Sequence, residues 1–210
     1  MTSYKRWSVV VGRVLPVVLV ATAALPVRAR AAESALVVRI NGAPTVERAG
    51  NSEPLRQGAT VSLGDVIVTD AAAKVKLLLA DDSVLAIGPR SRVVLDAFVF
   101  TAESRTVRLR VLAGRFKIAI AKFFGGTSNY EVRTPTAVAG LRGTVLWGDT
   151  DLDAICALDG HIEVRATTGS GAPAPLAAGE CVSQMAAGKT APLKPSATDL
   201  AAYLKEVTLE

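Results

Sequence analysis

The 210-residue chain has few of the side chains that most often do chemistry. It holds one histidine, His161, and two cysteines, Cys156 and Cys181, with no CxxC pair. A thioredoxin-like redox role therefore has no support. No motif of the G-x-S-x-G kind marks a nucleophile beside His161, so a catalytic triad is not expected. Aromatic residues make up 5% of the chain, too few for an extended carbohydrate-stacking platform. Beyond residue 31 no apolar run is long enough to span a membrane. Before residue 31 there is no acidic residue at all.

That last absence changes the meaning of the charge. Lys5 and Arg6 precede an apolar run over residues 14–27, and Ala29-Arg30-Ala31 forms a small-x-small site. This is the pattern of an export signal over residues 1–31, cut after Ala31 or, by a second site, after Ala29. A membrane anchor is the competing reading, but a span needs about 20 apolar residues and Arg13 shortens the run. Five basic residues lie in this segment; removing them from 24 leaves 19, against 19 acidic groups. The mature chain is expected to be near neutral, with no nucleic-acid footprint and no transmembrane segment. Its expected compartment is the periplasm. There, Cys156 and Cys181 read as a disulfide, with two buried free thiols as the alternative.

From residue 36 to about 186 short strand-like runs alternate with tight turns. TVRLRVL and RFKIAIA alternate residue by residue, as strands with one buried and one wet face do. VLAGRFKI, ALDGHIEV and, more loosely, LAAGECV form a weak repeat centred on Gly114, Gly160 and Gly179. These glycines are expected to supply positive φ at hairpin or corner turns. FFGGTSN and TTGSGAPAP read as flexible loops. After them the period changes: Leu200, Tyr203, Leu204 and Val207 fall on one helical face behind the N-cap Ser196. A short amphipathic helix over residues 196–208 is expected to pack on the β domain, or to serve as a detachable docking helix.

The segment 134–144, TPTAVAGLRGT, has one Pro, two Gly and one Arg in small, strand-prone sequence. It reads as backbone that turns sharply in a crowded place. Arg142 is expected to tie backbone carbonyls, or else to present a carboxylate site; Thr134 and Thr144 are expected to bridge strands. Asp149, Asp151 and Asp153 read as an acidic hairpin tip, with calcium binding as the lesser alternative. His161 shares an exposed polar face with Glu163 and Arg165. Trp147 reads as core before sugar platform. Phe98, Phe100, Phe116, Phe123 and Phe124 read as core or loop anchors.

The same segment resembles the signature of the FecR protein domain, commonly TP-x-A-x-x-G-x-RGT, matched here by Thr134, Pro135, Ala137, Gly140, Arg142, Gly143 and Thr144. Upstream, Leu55, Gly58, Gly64, Asp65, Ile67, Thr69, Asp81, Ser83, Pro89 and Ser91 are similar to the domain's first half. Asp82 departs from the Gly usual at that turn, although Asp tolerates left-handed φ. LDGHIEV and LAAGE resemble the closing strands. The resemblance implies the periplasmic part of sigma regulators that relay the state of an outer-membrane transporter to a cytoplasmic sigma factor. It also implies a twisted β-solenoid. The cytoplasmic anti-sigma region, transmembrane helix and terminal short domain of those regulators are not expected in this chain.

The resulting expectation is a mainly β, single-domain, solenoid- or sandwich-like protein with a short C-terminal helix. It is expected to be a non-enzymatic periplasmic interaction module with no cofactor and no metal. Its partner is expected to be an envelope protein, with cell-envelope glycan as the alternative.

Overall fold

Period-two alternation becomes seventeen strands among residues 33–169 and 172–209, which this computed structural model describes. In chain order they are β1 (Glu33–Asn41), β2 (Thr45–Arg48), β3 (Asn51–Pro54), β4 (Thr60–Ser62), β5 (Val66–Val68) and β6 (Lys74–Leu79). Next come β7 (Val84–Ile87), β8 (Arg92–Phe100), β9 (Ser104–Ala113), β10 (Arg115–Ala119), β11 (Thr127–Arg133) and β12 (Ala137–Leu141). The last are β13 (Val145–Asp149), β14 (Ala154–Asp159), β15 (His161–Ala166), β16 (Ala174–Ala177) and β17 (Cys181–Ser183), followed by the helix α1 (Ala197–Val207). The expected leader over residues 1–31 lies outside the described residues. Among those described, no helix is long and apolar enough to cross a membrane.

The strands form two sheets. One has eight, ordered β17-β14-β13-β10-β7-β6-β1-β4; the other has nine, ordered β16-β15-β12-β11-β9-β8-β5-β2-β3. The inward residues of both build one apolar core. Val75, Leu77 and Leu79 of β6 and Phe116 and Ile118 of β10 share it with Val107, Leu109 and Val111 of β9. At about 25 cal/mol per Å² of apolar surface, this burial is the main stabilising term of the fold. The architecture is sandwich-like. Among the described ladders only β9–β11 is parallel.

The weak repeat has a physical meaning here. Gly114, Gly160 and Gly179, with φ of 89, 72 and 84°, each sit where the chain crosses from one sheet to the other. A Cβ on Gly114 would lie 2.2 Å from Ser91 Oγ, and one on Gly160 would lie 2.7 Å from Thr144 Cγ2. Positive φ and close approach together require glycine at both corners.

The polar positions of the family-like first half also lie at corners, buried and bonded. Asp65 accepts from Ser62 N at 2.8 Å and pairs with Arg48 at 2.6 Å. Thr69 Oγ1 donates to Gly88 O at 2.7 Å, and Ser91 Oγ accepts from Arg115 N at 2.9 Å. Asp81 takes Ser83 Oγ at 3.0 Å, beside Asp82, whose φ is 66°. Buried polar groups need such partners, so Asp65, Thr69 and Ser91 pin sheet-to-sheet crossings, while Asp81 and Ser83 pin the β6–β7 hairpin.

The apolar part of the outer face of the eight-stranded sheet, around Trp147, is covered by α1. Ser196 Oγ accepts from Asp199 N at 3.1 Å and starts the helix. Tyr203 stacks on Trp147 at 4.6 Å between ring centroids, and Val207 is buried beside them. Cys156 and Cys181 are opposite residues of β14 and β17, joined as a disulfide in the same apolar cluster. At the helix end Lys74 Nζ donates to Lys205 O at 2.9 Å, a cation placed where the helix dipole favours one.

Candidate interaction surface

The outer face of the nine-stranded sheet carries no helix among the described residues. It is built from the alternate residues that β9, β11, β12 and β15 turn away from the core. Glu131 faces Arg108 on one side and Gly140 on the other, and Gly140 in turn faces Glu163. Arg133 stands opposite Arg110 and Val138, and Val138 stands opposite Arg165. Arg110 is paired with Asp96 at 2.7 Å, and Arg133 with Glu131. That bond to Glu131 holds the Arg133 guanidinium above its ordinary range. Arg108, Arg142 and Arg165 have no ion-pair partner among the described residues and stand exposed.

A cleft of about 580 Å³ opens on this face toward the edge strand β16. Asn129, Gly140, Arg142, His161, Glu163 and Pro175 are among its walls. Gly140 contributes a bare stretch of strand: a Cβ there would meet only Glu163 O, at 3.9 Å. Its role is therefore neither a turn nor relief of crowding; it lowers the cleft floor. The guanidinium of Arg142 offers a planar fork of donors, while Glu163 offers an acceptor. That set suits a carboxylate, or a polar peptide segment laid across the strands.

The signature segment separates into two functions. Pro135 and Thr136 form the turn between β11 and β12. Thr134 N donates to Ala137 O at 2.9 Å, and Thr134 Oγ1 accepts from Ala137 N at 3.0 Å. The Thr134 hydroxyl thus closes its own hairpin, where a bridge to a neighbouring strand was expected. Ala137 is fully buried in the core. Gly143, φ 63°, makes the corner where the chain leaves β12 and enters β13 on the other sheet. Thr144 is buried, its methyl under Gly160, and its Oγ1 has no hydrogen-bond partner among the described residues, so its hydroxyl bridges no strands. Arg142, expected to tie carbonyls, makes no hydrogen bond or ion pair among the described residues and faces the cleft. The crowding sits at its neighbours, so the arginine is left free.

The acidic triplet is not a solvated tip. Asp149 is 2% exposed, accepts from Arg115 Nε at 2.6 Å, and caps Asp151 N at 2.8 Å. The Asp149 bond holds Arg115 above its ordinary range, with Glu206 on α1 adding attraction. Asp153 accepts from Thr136 Oγ1 at 2.5 Å and from Ala186 N at 2.7 Å. Only Asp151 is left exposed. No group of three metal-ligating side chains occurs among the described residues.

One polar cluster escaped sequence reasoning. Arg105, 3% exposed, pairs with Asp81 at 3.1 Å and donates to Ala121 O at 2.8 Å. Ser83 Oγ and Tyr130 Oη share a hydrogen bond of 3.0 Å beside them. A signal was present: Arg105 falls in phase with the inward residues Val107, Leu109 and Val111 of its strand.

The FecR protein family model matches residues 65–170, half of the chain. Two crystal structures of a candidate anti-sigma factor from Parabacteroides distasonis, at 1.65 and 2.50 Å resolution, share the fold. Each is 18% identical to this chain with a TM-score of 0.51, and the match covers 66% of it. The chain in turn spans 64% and 63% of those two chains, less than two thirds of their length. No curated protein matches. With its signature at one sheet-to-sheet corner and its matched polar residues buried at other turns, the chain belongs to the FecR protein family.

Proposed function

We propose that this chain is an exported, non-enzymatic adaptor of the cell envelope that regulates by contact, and that the bare face of the nine-stranded sheet makes the contact. One observation carries the reading. The signature arginine, Arg142, is exposed, unpaired among the described residues, and set in an open cleft floored by Gly140. An arginine kept for the scaffold would be bonded, as Arg105 and Arg115 are. The family and the fold shared with a candidate anti-sigma factor favour regulation over catalysis. The partner we propose is a membrane protein presenting a carboxylate or a polar strand to the cleft.

The test is capture of partners from native envelopes by the wild-type protein and by Arg142→Glu. The expected result is one stoichiometric membrane protein bound by the wild type and released by the charge reversal. Retention on peptidoglycan or polysaccharide alone, unaffected by the substitution, would overturn the adaptor in favour of a glycan-binding protein.

A further inference from the structure

The end of the sandwich that holds Arg105 presents aromatic side chains to solvent. Phe124 is 93% exposed, Val99 51% and Phe100 46%. Val99 and Phe100 end β8, and Phe124 comes from the loop 120–126 joining β10 to β11.

These side chains belong to a built surface. The Arg105 guanidinium lies 4.6 Å from the ring centroid of Phe123 and 5.4 Å from that of Phe100. The two rings meet edge to face at 6.4 Å. Arg105 is itself pinned by Asp81 and by Ala121 O. Gly125 and Gly126 lie flat on the neighbouring turn: a Cβ on Gly126 would fall 1.9 Å from Glu103 O. Thr127 N donates to that same carbonyl at 3.1 Å. The loop expected to be flexible is thus clamped at Phe123, and the clamp leaves Phe124 pointing away from the protein.

We propose that this end is a bilayer-docking tip, with Phe124 entering the interfacial region of a lipid membrane and Val99 and Phe100 lying at its surface. Two observations select lipid as the occupant. The loop 120–126, IAKFFGG, has a lysine beside the aromatic pair and no carboxylate of its own, a composition suited to the lipid interface; Glu103 and Asp82 are the exposed carboxylates of the two adjoining turns. The polypeptide also enters the domain at this end. Ala80 N donates to Ser34 O at 3.1 Å, next to the Asp81 that holds Arg105. Residues 28–32 separate β1 from the apolar run 14–27, a reach of roughly 20 Å when extended. An export leader still attached would tether this end of the domain within that reach of the membrane. Once the leader is removed, the aromatic tip keeps the mature protein at the bilayer from which it was released. One buried aromatic side chain gives weak, reversible binding, which suits an adaptor that moves between partners.

The test uses the mature protein recovered after export, floated with vesicles of phosphatidylethanolamine and phosphatidylglycerol. The wild type is expected to float, and Phe124→Asp to lose roughly tenfold in partitioning with unchanged thermal unfolding. Phe124→Trp is expected to float as the wild type does, with blue-shifted emission quenched by brominated acyl chains. Failure of the wild type to float, or a Phe124→Trp emission that vesicles leave unchanged, would overturn the proposal. So would a Phe124→Asp protein that floats normally while losing an envelope protein in detergent, because the tip would then fit a protein pocket.

Discussion

The two outer faces of this sandwich are built from the same alternation of residues and have opposite fates. On the eight-stranded sheet, Trp147, Cys156 and Cys181 lie in one cross-strand row, and α1 closes over the apolar patch they form. On the nine-stranded sheet the corresponding outward positions are Arg108, Glu131, Gly140 and Glu163, and no element covers them among the described residues. The first face spends its side chains on stability. The second leaves charge and a bare glycine in water, the features that the proposed contact would use.

The contrast breaks most sharply at Trp147. Trp147→Ala removes the largest fully buried side chain and the stacking partner of Tyr203, and should cost about 3–5 kcal/mol in denaturant unfolding. Replacing both Cys156 and Cys181 by Ala opens a link spanning 25 residues and should cost roughly 3 kcal/mol. A loss below about 1 kcal/mol would mean that α1 and the core hold β17 in place unaided. Ser196→Ala removes the helix N-cap and should cost about 1 kcal/mol, with the loss of structure confined to α1 in hydrogen exchange.

On the other face the expected effects on stability are small. Arg142→Ala should leave unfolding within about 0.5 kcal/mol of wild type, because no bond is lost. Glu47 and Arg92 form a half-buried pair at 2.8 Å on the same sheet, and the bond to Arg92 lowers the Glu47 pKa below its ordinary value. A depressed carboxylate adds stability above its unfolded value and loses that contribution as pH falls through the folded one. The difference between wild type and Glu47→Gln should therefore be small at pH 7 and disappear as pH drops below about 4. A Glu47→Gln protein that loses stability equally at both extremes would point to packing as the cause.

Much of the fold was legible. Alternation marked the strands, Ser196 and the Leu200–Tyr203–Leu204–Val207 spacing marked the helix, and the three repeat glycines marked corners. Alternation, however, reveals faces and not partners, so the division into two sheets came only from the ladders. The acidic triplet misled because spacing cannot show that Asp149 lies under Arg115 while Asp151 stays in water. Arg142 misled in the opposite direction. Gly143 beside it suggested a crowded arginine, yet the turn crowds its neighbours and leaves the guanidinium free. Arg105 was readable from its phase and stood out less than the apolar residues around it. The cleft was invisible in sequence because its walls come from β11, β12, β15 and the segment leading into β16, whose proximity is set by sheet order.

The most direct test of this division is a photo-crosslinking scan in living cells, with the reactive side chain placed in turn at His161, Arg165, Ala201 and Lys189. The account predicts that positions 161 and 165 label the same envelope protein, while 201, on the exposed side of α1, and 189 label none. Labelling from 201 alone, with 161 and 165 silent, would contradict it and make the helix the contact surface.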